Sequence, residues 1–332
     1  MKALILPLAA VIALVSYSAS GHAAQRPFDR LPAAVLDILP PSERVSGAPG
    51  EMRIQPTSCH TLPINGVRRR IVDVAVQEWG FFSFSVVDEA IDTPRGRRRR
   101  GRGNPEESAR VAASIGGYWA VTPEGSWILE NQNDAWNGSR GIASRWRSPW
   151  SAAFISWVMC AGGVGDLNQF QRAVAHHTYI DQAIRARDSG SAETAFVAYD
   201  AGETGVEPGD LLCTARRPRY QNIAERRRQM GEGARTHCDL VVKVDEAKEE
   251  ILAIGGNVRG TVSLKRLPAT RSQAERLRPE RTTFVHLKLK AESIALDALD
   301  TSPTMKALGC DAGFETPSQL ATIDLSVVDR PC

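Results

Sequence analysis

Near residue 195 the hydrophobic period of the chain changes, and that change restricts the fold more than any other feature. Ahead of it, apolar residues recur at the three- and four-residue spacing of helices. Behind it they follow the two-residue spacing of strands, punctuated by turn residues. Val67, Ile71, Val74, Ala75 and Trp79 form one helical stripe, closed by Gly80. Glu106 to Tyr118 and Leu167 to Arg187 read as further helices. Pro208-Gly209-Asp210 then turns the chain into Leu211-Leu212-Cys213. His237 to Val244, Ile251 to Ile254, Val262 to Leu267 and Thr283 to Leu289 read as strands. Helices first and an antiparallel meander afterwards predict an α+β domain over residues 66–270, not a doubly wound sheet.

The best-marked element runs from Ser148 to Met159. Ser148 suits an N-cap and Pro149 the first helical position, where its missing N–H costs nothing. Trp150, Phe154, Trp157 and Val158 form an apolar stripe that Gly162-Gly163 stops. Ser151 therefore falls in the first turn of a helix, with only Ala152 and Ala153 beside it.

The flanking segments read differently. Lys2, an apolar run from Ala3 to Val15 and the small residues around Gly21-His22-Ala23-Ala24 have the layout of a secretory signal over residues 1–24. That run is shorter than the ~20 residues needed to cross a bilayer, and no later stretch comes near that length. A periplasmic or secreted protein without a transmembrane segment is expected. Residues 25–65 carry seven prolines with little periodicity and read as an extended leader, with a short helix around Ala33 to Ile38. Six Arg between Arg95 and Arg102, interleaved with Gly, read as a solvated loop over 93–105. A sharper reading of that loop is attraction to an anionic cell-envelope polymer or lipid surface. Residues 215–236 read as a polar insertion, and 271–332 as a C-terminal extension with an added strand and a stapled tail.

In an oxidising compartment the six cysteines are expected in disulfides. Cys310 with Cys332 is one expected pair, and Cys213 with Cys238 another, because the latter two fall on neighbouring strands. The formal charge of +3 is too small to argue for nucleic acid. Cys-x-x-Cys, His-Glu-x-x-His, a Gly-x-Ser-x-Gly elbow and a phosphate-cradling Gly-Lys-Ser/Thr loop are all missing from the sequence, so no nucleotide, metal or other cofactor is expected.

Acyl transfer from an amide needs an activated oxygen or sulfur, a base within reach, and a group that orients the base. Ser151 has the helix-start setting of a nucleophile, with free amides and the positive dipole end nearby. His237 opens a strand and suits the base. Asp239 shares its face by the two-residue period, and Asn257 arrives from the next strand, so either can orient it. Trp150, His176, Tyr179 and Asp210 are candidates to line the cleft, His176 and Tyr179 sharing one helix face. Each residue also has a plain structural reading: Ser151 as a second capping serine, Asp239 as partner of Arg216 or Arg235, Asn257 as a turn residue, and His176 with Tyr179 as packing groups.

Pro149-Trp150-Ser151-Ala152-Ala153-Phe154-Ile155-Ser156-Trp157, Pro208-Gly209-Asp210-Leu211, His237 at a strand start and Gly256-Asn257 together resemble the motif order of CHAP amidases and NlpC-type peptidases. Those papain-like enzymes cut amide bonds in cell-wall peptides, with cysteine at the helix start. More closely, Gly209 to Cys213, His237-Cys238-Asp239 and Ile254 to Val258 resemble the uncharacterised bacterial domain-of-unknown-function family 2272. The resemblance implies a papain-like fold and a cell-envelope amide hydrolase of the peptidoglycan stem-peptide class, with Ser151 as nucleophile and His237 as base. It also leaves an alternative: a catalytically inactive module binding a cell-wall peptide or another envelope polymer. The two diverge because a thiol is readily made a thiolate, whereas a serine must lose its proton during attack.

Overall fold

In the computed structural model, residues 28–89, 105–144, 146–272, 275–280 and 282–310 are described. The expected signal segment 1–24, nearly all of the expected Arg/Gly loop and Cys332, hence the expected Cys310–Cys332 pair, lie outside them. Among the described residues there are eight α-helices: α1 (Ala33–Leu36), α2 (Val67–Phe81), α3 (Pro105–Trp119), α4 (Gly125–Trp136), α5 (Ser151–Gly162), α6 (His176–Ser189), α7 (Ile223–Arg227) and α8 (Pro303–Cys310). A small hairpin pairs β1 (Val45–Ser46) with β2 (Arg53–Ile54). The main sheet holds β3 (Ser85–Asp88), β4 (Phe196–Tyr199), β5 (Leu211–Arg217), β6 (Arg235–Asp245), β7 (Glu250–Val258), β8 (Thr261–Arg271), β9 (Leu277–Pro279) and β10 (Thr283–Leu289).

The strand order is β3-β8-β7-β6-β5-β10-β4, with β9 paired to β8 off that path. All pairs are antiparallel except β3 with β8. The fold is a mixed α+β one on an open, mostly antiparallel sheet. No helix of the described residues is long and apolar enough to cross a membrane.

Helix α5 is central because no face of it is polar. All twelve of its residues are buried, and each of Phe154, Ile155, Trp157, Val158 and Met159 contributes roughly 1.5–3 kcal/mol by leaving water. Its C-terminus lies so close to α2 that a Cβ on Gly162 would stand 2.6 Å from Ile71 Cγ1. Gly163, at φ +104°, then ends it in the left-handed conformation. Strand β6 is apolar on both faces for a related reason. Leu240 and Val242 pack into the main core with α5, while Val241 and Val244 join Leu212, Ile251 and Leu267 in a second cluster. Burial on both faces explains the nearly continuous apolar run there.

Three segments differ from the sequence expectation. Residues 28–65 do not stand off as a leader: Phe28, Leu36, Ile38, Val45 and Met52 are buried, and a disulfide joins Cys59 to Cys160 of α5. The expected Cys213–Cys238 disulfide is present between β5 and β6. Strand β10 is no addition at an edge, since it lies between β5 and β4. It is held by Arg68 of α2, which donates to Leu289 O at 2.7 Å and to Asp210 Oδ1 at 2.9 Å. Finally, the helix expected over Leu167 to Arg187 begins only at His176. Side chains occupy the main chain ahead of it, Asp166 accepting from Asn168 N–H and Gln182 from Gln171 N–H.

Candidate active site around Ser151 and two histidines

Ser151 is the first residue of α5, preceded by Trp150 at the N-cap, so neither Ser148 nor Pro149 starts the helix. Trp150 is fully enclosed between Phe82 and Tyr118, at ring separations of 5.8 and 6.0 Å. It braces the helix start and lines no cleft. The first bond of the helix runs from Phe154 N–H to Trp150 O. The amides of the preceding turn are thus the orphan donors that every helix start leaves.

One turn further on, Ser156 Oγ donates to Ala173 O and accepts from Ala173 N–H, both at 3.0 Å. This two-way bond fixes the segment that leads into α6 and delivers His176 to Ser151. His176 Nε2 lies 2.7 Å from Ser151 Oγ. On the other side of the ring, Nδ1 meets the Tyr179 hydroxyl and accepts from Cys238 N–H at 3.2 Å. That amide is available because β6 pairs with β7 only from Leu240 onward. Ser151, His176 and Tyr179 are all nearly enclosed, at 8%, 4% and 1% exposure.

The bonding pattern assigns the tautomer. An amide N–H can only donate, so Nδ1 of His176 is an acceptor, and the neutral ring carries its proton on Nε2. At rest, His176 therefore donates to Ser151 Oγ. Burial pushes the His176 pKa well below 6.5, and the neighbouring His237 adds to this, while the Asp239 carboxylate opposes it. Burial likewise holds the Tyr179 phenol well above 10, so it remains an O–H.

His237 turns to a different partner. Its Nε2 lies 2.9 Å from Asp239 Oδ1, and its ring meets that of His176 edge to face at 5.1 Å. Asp239 Oδ2 accepts from Lys265 Nζ at 2.7 Å. Burial raises the carboxyl's pKa, but the Lys265 and His237 charges outweigh it and hold the group below the usual carboxylate range. The Gly255-Gly256 pair makes room for all of this. A Cβ on Gly255 would stand 2.0 Å from Asp239 Oδ1, and one on Gly256 2.6 Å from Phe154 Cβ. His237, Asp239 and Lys265 also face a cavity of about 730 Å³ that Ser151 and His176 do not line.

The structure thus joins Ser151 to His176, and His237 to Asp239, rather than Ser151 to His237. Asn257 adopts φ +56° in the irregular end of β7 and bonds to neither ring. Asp210, expected in the cleft, is fully enclosed in an ionic cluster with Arg68, His286 at 2.8 Å and Lys288 at 3.2 Å. The His176-x-x-Tyr179 spacing was the only sequence signal for the serine's partner. Cys160 and Cys238 are both in disulfides, so neither offers a thiol. Among the described residues, no group of three or more His, Cys, Asp or Glu is placed to hold a metal ion.

No curated protein and no solved structure matches the chain. A sequence profile of one bacterial family does match, over residues 107–288. That stretch covers more than half of the chain and holds Ser151, His176, His237 and Asp239, and the chain belongs to this family, DUF2272, described as an uncharacterized protein conserved in bacteria.

Proposed function

We propose that the protein is an exported amide hydrolase of the cell envelope that uses Ser151 as nucleophile and His176 as the base. The observation that carries this is the 2.7 Å bond between Ser151 Oγ and His176 Nε2 at the start of a buried helix. On this reading the domain is a papain-like one of the CHAP and NlpC kind. Ser151 occupies the position those enzymes give to cysteine, and the substrate is an amide of a peptidoglycan stem peptide.

Attack requires the other tautomer of His176, with its proton on Nδ1 and Tyr179 Oη as acceptor. That exchange strands the Cys238 N–H, at a cost of about 1–3 kcal/mol for an unsatisfied buried donor. Such a penalty is small beside the roughly 8–23 kcal/mol by which enzymes lower barriers. Ser151 Oγ then bonds to the carbonyl carbon as its proton passes to Nε2, and the first-turn amides of α5 receive the oxyanion. His176 returns the proton to the leaving amine, and water releases the acyl group. Asp239, bonded to His237, is the carboxylate that favours the charged imidazole. His237, bonded to that carboxylate, opposes the charged form of His176 and has no hydrogen bond to the ring.

A second reading, a binding module without catalysis, is favoured by the same resting tautomer and by the near-complete enclosure of Ser151. Treatment with a fluorophosphonate, followed by peptide mass spectrometry, separates the two. The hydrolase reading predicts an adduct on Ser151 that is lost in His176→Gln and survives in His237→Gln. An unlabelled native protein, or labelling undiminished in His176→Gln, overturns it.

A further inference from the structure

We propose that the cavity beside His237 is a binding site for a carboxylate-bearing small molecule or short peptide, held by Arg216, Arg219 and Arg278. The cavity, of about 730 Å³, has the size of a small-ligand site. Its floor is Leu212 and Leu267, which belong to the second apolar cluster and not to the core that contains α5. Ser151 and His176 do not line it, although His237 on its wall meets the ring of His176.

The charges on its wall are unevenly satisfied. Lys265 is held by Asp239 at 2.7 Å and by Glu89 at 3.8 Å. The side chains of Arg216, Arg219 and Arg278 are exposed, and none has an ion pair or hydrogen bond to another described residue. Elsewhere Arg68, Arg187, Arg226, Arg227 and Arg266 each hold a carboxylate. The backbone brings the three free guanidinium groups together. The pairing of β5 with β6 shifts register between Ala215 and Arg217, leaving Arg216 as the extra residue of a bulge, a device that re-aims side chains. Arg219 follows just beyond the strand. Arg278 is fixed opposite Thr270 by the β8–β9 ladder, and its stem covers Gly202.

Guanidinium forks suit carboxylate and phosphate alike. The leucine floor beneath them welcomes carbon, which inorganic phosphate lacks. Both features select a carboxylate carried on a carbon skeleton.

Isothermal titration of the full-length protein with tricarballylate, its neutral triamide and inorganic phosphate tests this. Tricarballylate is expected to bind, and to bind equally in Ser151→Ala. Each single Arg→Gln variant should weaken it about two- to fivefold, the range of an exposed ion pair. The triple variant should weaken it about tenfold or more, and binding should loosen from about 50 mM to about 500 mM salt as exposed charges are screened. The three side chains bond to no other described residue, so the variants should melt as the native protein does. No binding of tricarballylate, equal binding of the triamide, an unchanged affinity in the triple variant, or binding of phosphate in preference to tricarballylate would each overturn the proposal.

Discussion

The environment of His176 makes a quantitative demand on stability. The ring is 4% exposed, and burial followed by the charge on His237 lowers its pKa well below 6.5 in the folded protein. In the unfolded chain the same imidazole titrates near 6.5. As pH falls, the unfolded chain therefore takes up this proton first, and the native state loses ground. The contribution is fully present above about pH 6.5 and declines below it, at about 1.4 kcal/mol per pH unit. Between about pH 7.5 and about pH 5.5, His176 alone should remove about 1.4 kcal/mol from an unfolding free energy of about 5–15 kcal/mol. Urea unfolding of the native protein and of His176→Gln at several pH values isolates it. Other titrating groups act in both proteins, so the difference between the two slopes belongs to His176, whatever the variant's absolute stability. Parallel slopes would show that His176 is not held neutral and would refute the assigned hydrogen-bond pattern.

Other expectations follow from single contacts. Gly255→Ala drives a methyl into Asp239 Oδ1; overpacking of this kind costs about 1–3 kcal/mol, and an unchanged melting temperature would contradict the tight fit. Asp210→Ala leaves Arg68 buried without its carboxylate and should cost about 3–5 kcal/mol in denaturant unfolding, against a smaller loss for Asp210→Asn. Joint replacement of Cys59 and Cys160 by alanine opens a link across 101 residues, worth about 4.7 kcal/mol by loop entropy. A double variant as stable as the native protein would show that this link adds little to the stability of the fold.

Much of the fold was legible because hydrophobic period is a local property. α2, α3 and α5 and the strands of the β6–β7–β8 meander each declare themselves within their own windows. What could not be read was non-local. Nothing near Thr283 says that β10 enters between β5 and β4, and Arg68, which bonds to its last carbonyl there, lies more than two hundred residues earlier. The prolines before residue 65 suggested a free leader, yet Phe28 and Met52 find apolar surface only in three dimensions. The site was half legible for the same reason. Ser151 stands out by its helix start, and His237 with Asp239 by strand alternation. Which histidine meets the serine depends on the Ser156–Ala173 bond and on where β7 leaves β6, neither of which has a sequence period.

In the proposed function Ser151, served by His176, cleaves an amide. The most direct test of this is digestion of purified peptidoglycan by the native protein and by Ser151→Ala, His176→Gln and Ser151→Cys, with released fragments read by mass spectrometry. Stem-peptide amide cleavage by the native protein, lost in Ser151→Ala and His176→Gln, is the expected result. A native protein that releases nothing while Ser151→Cys is active would contradict it, and would mark a site that keeps its architecture for binding alone.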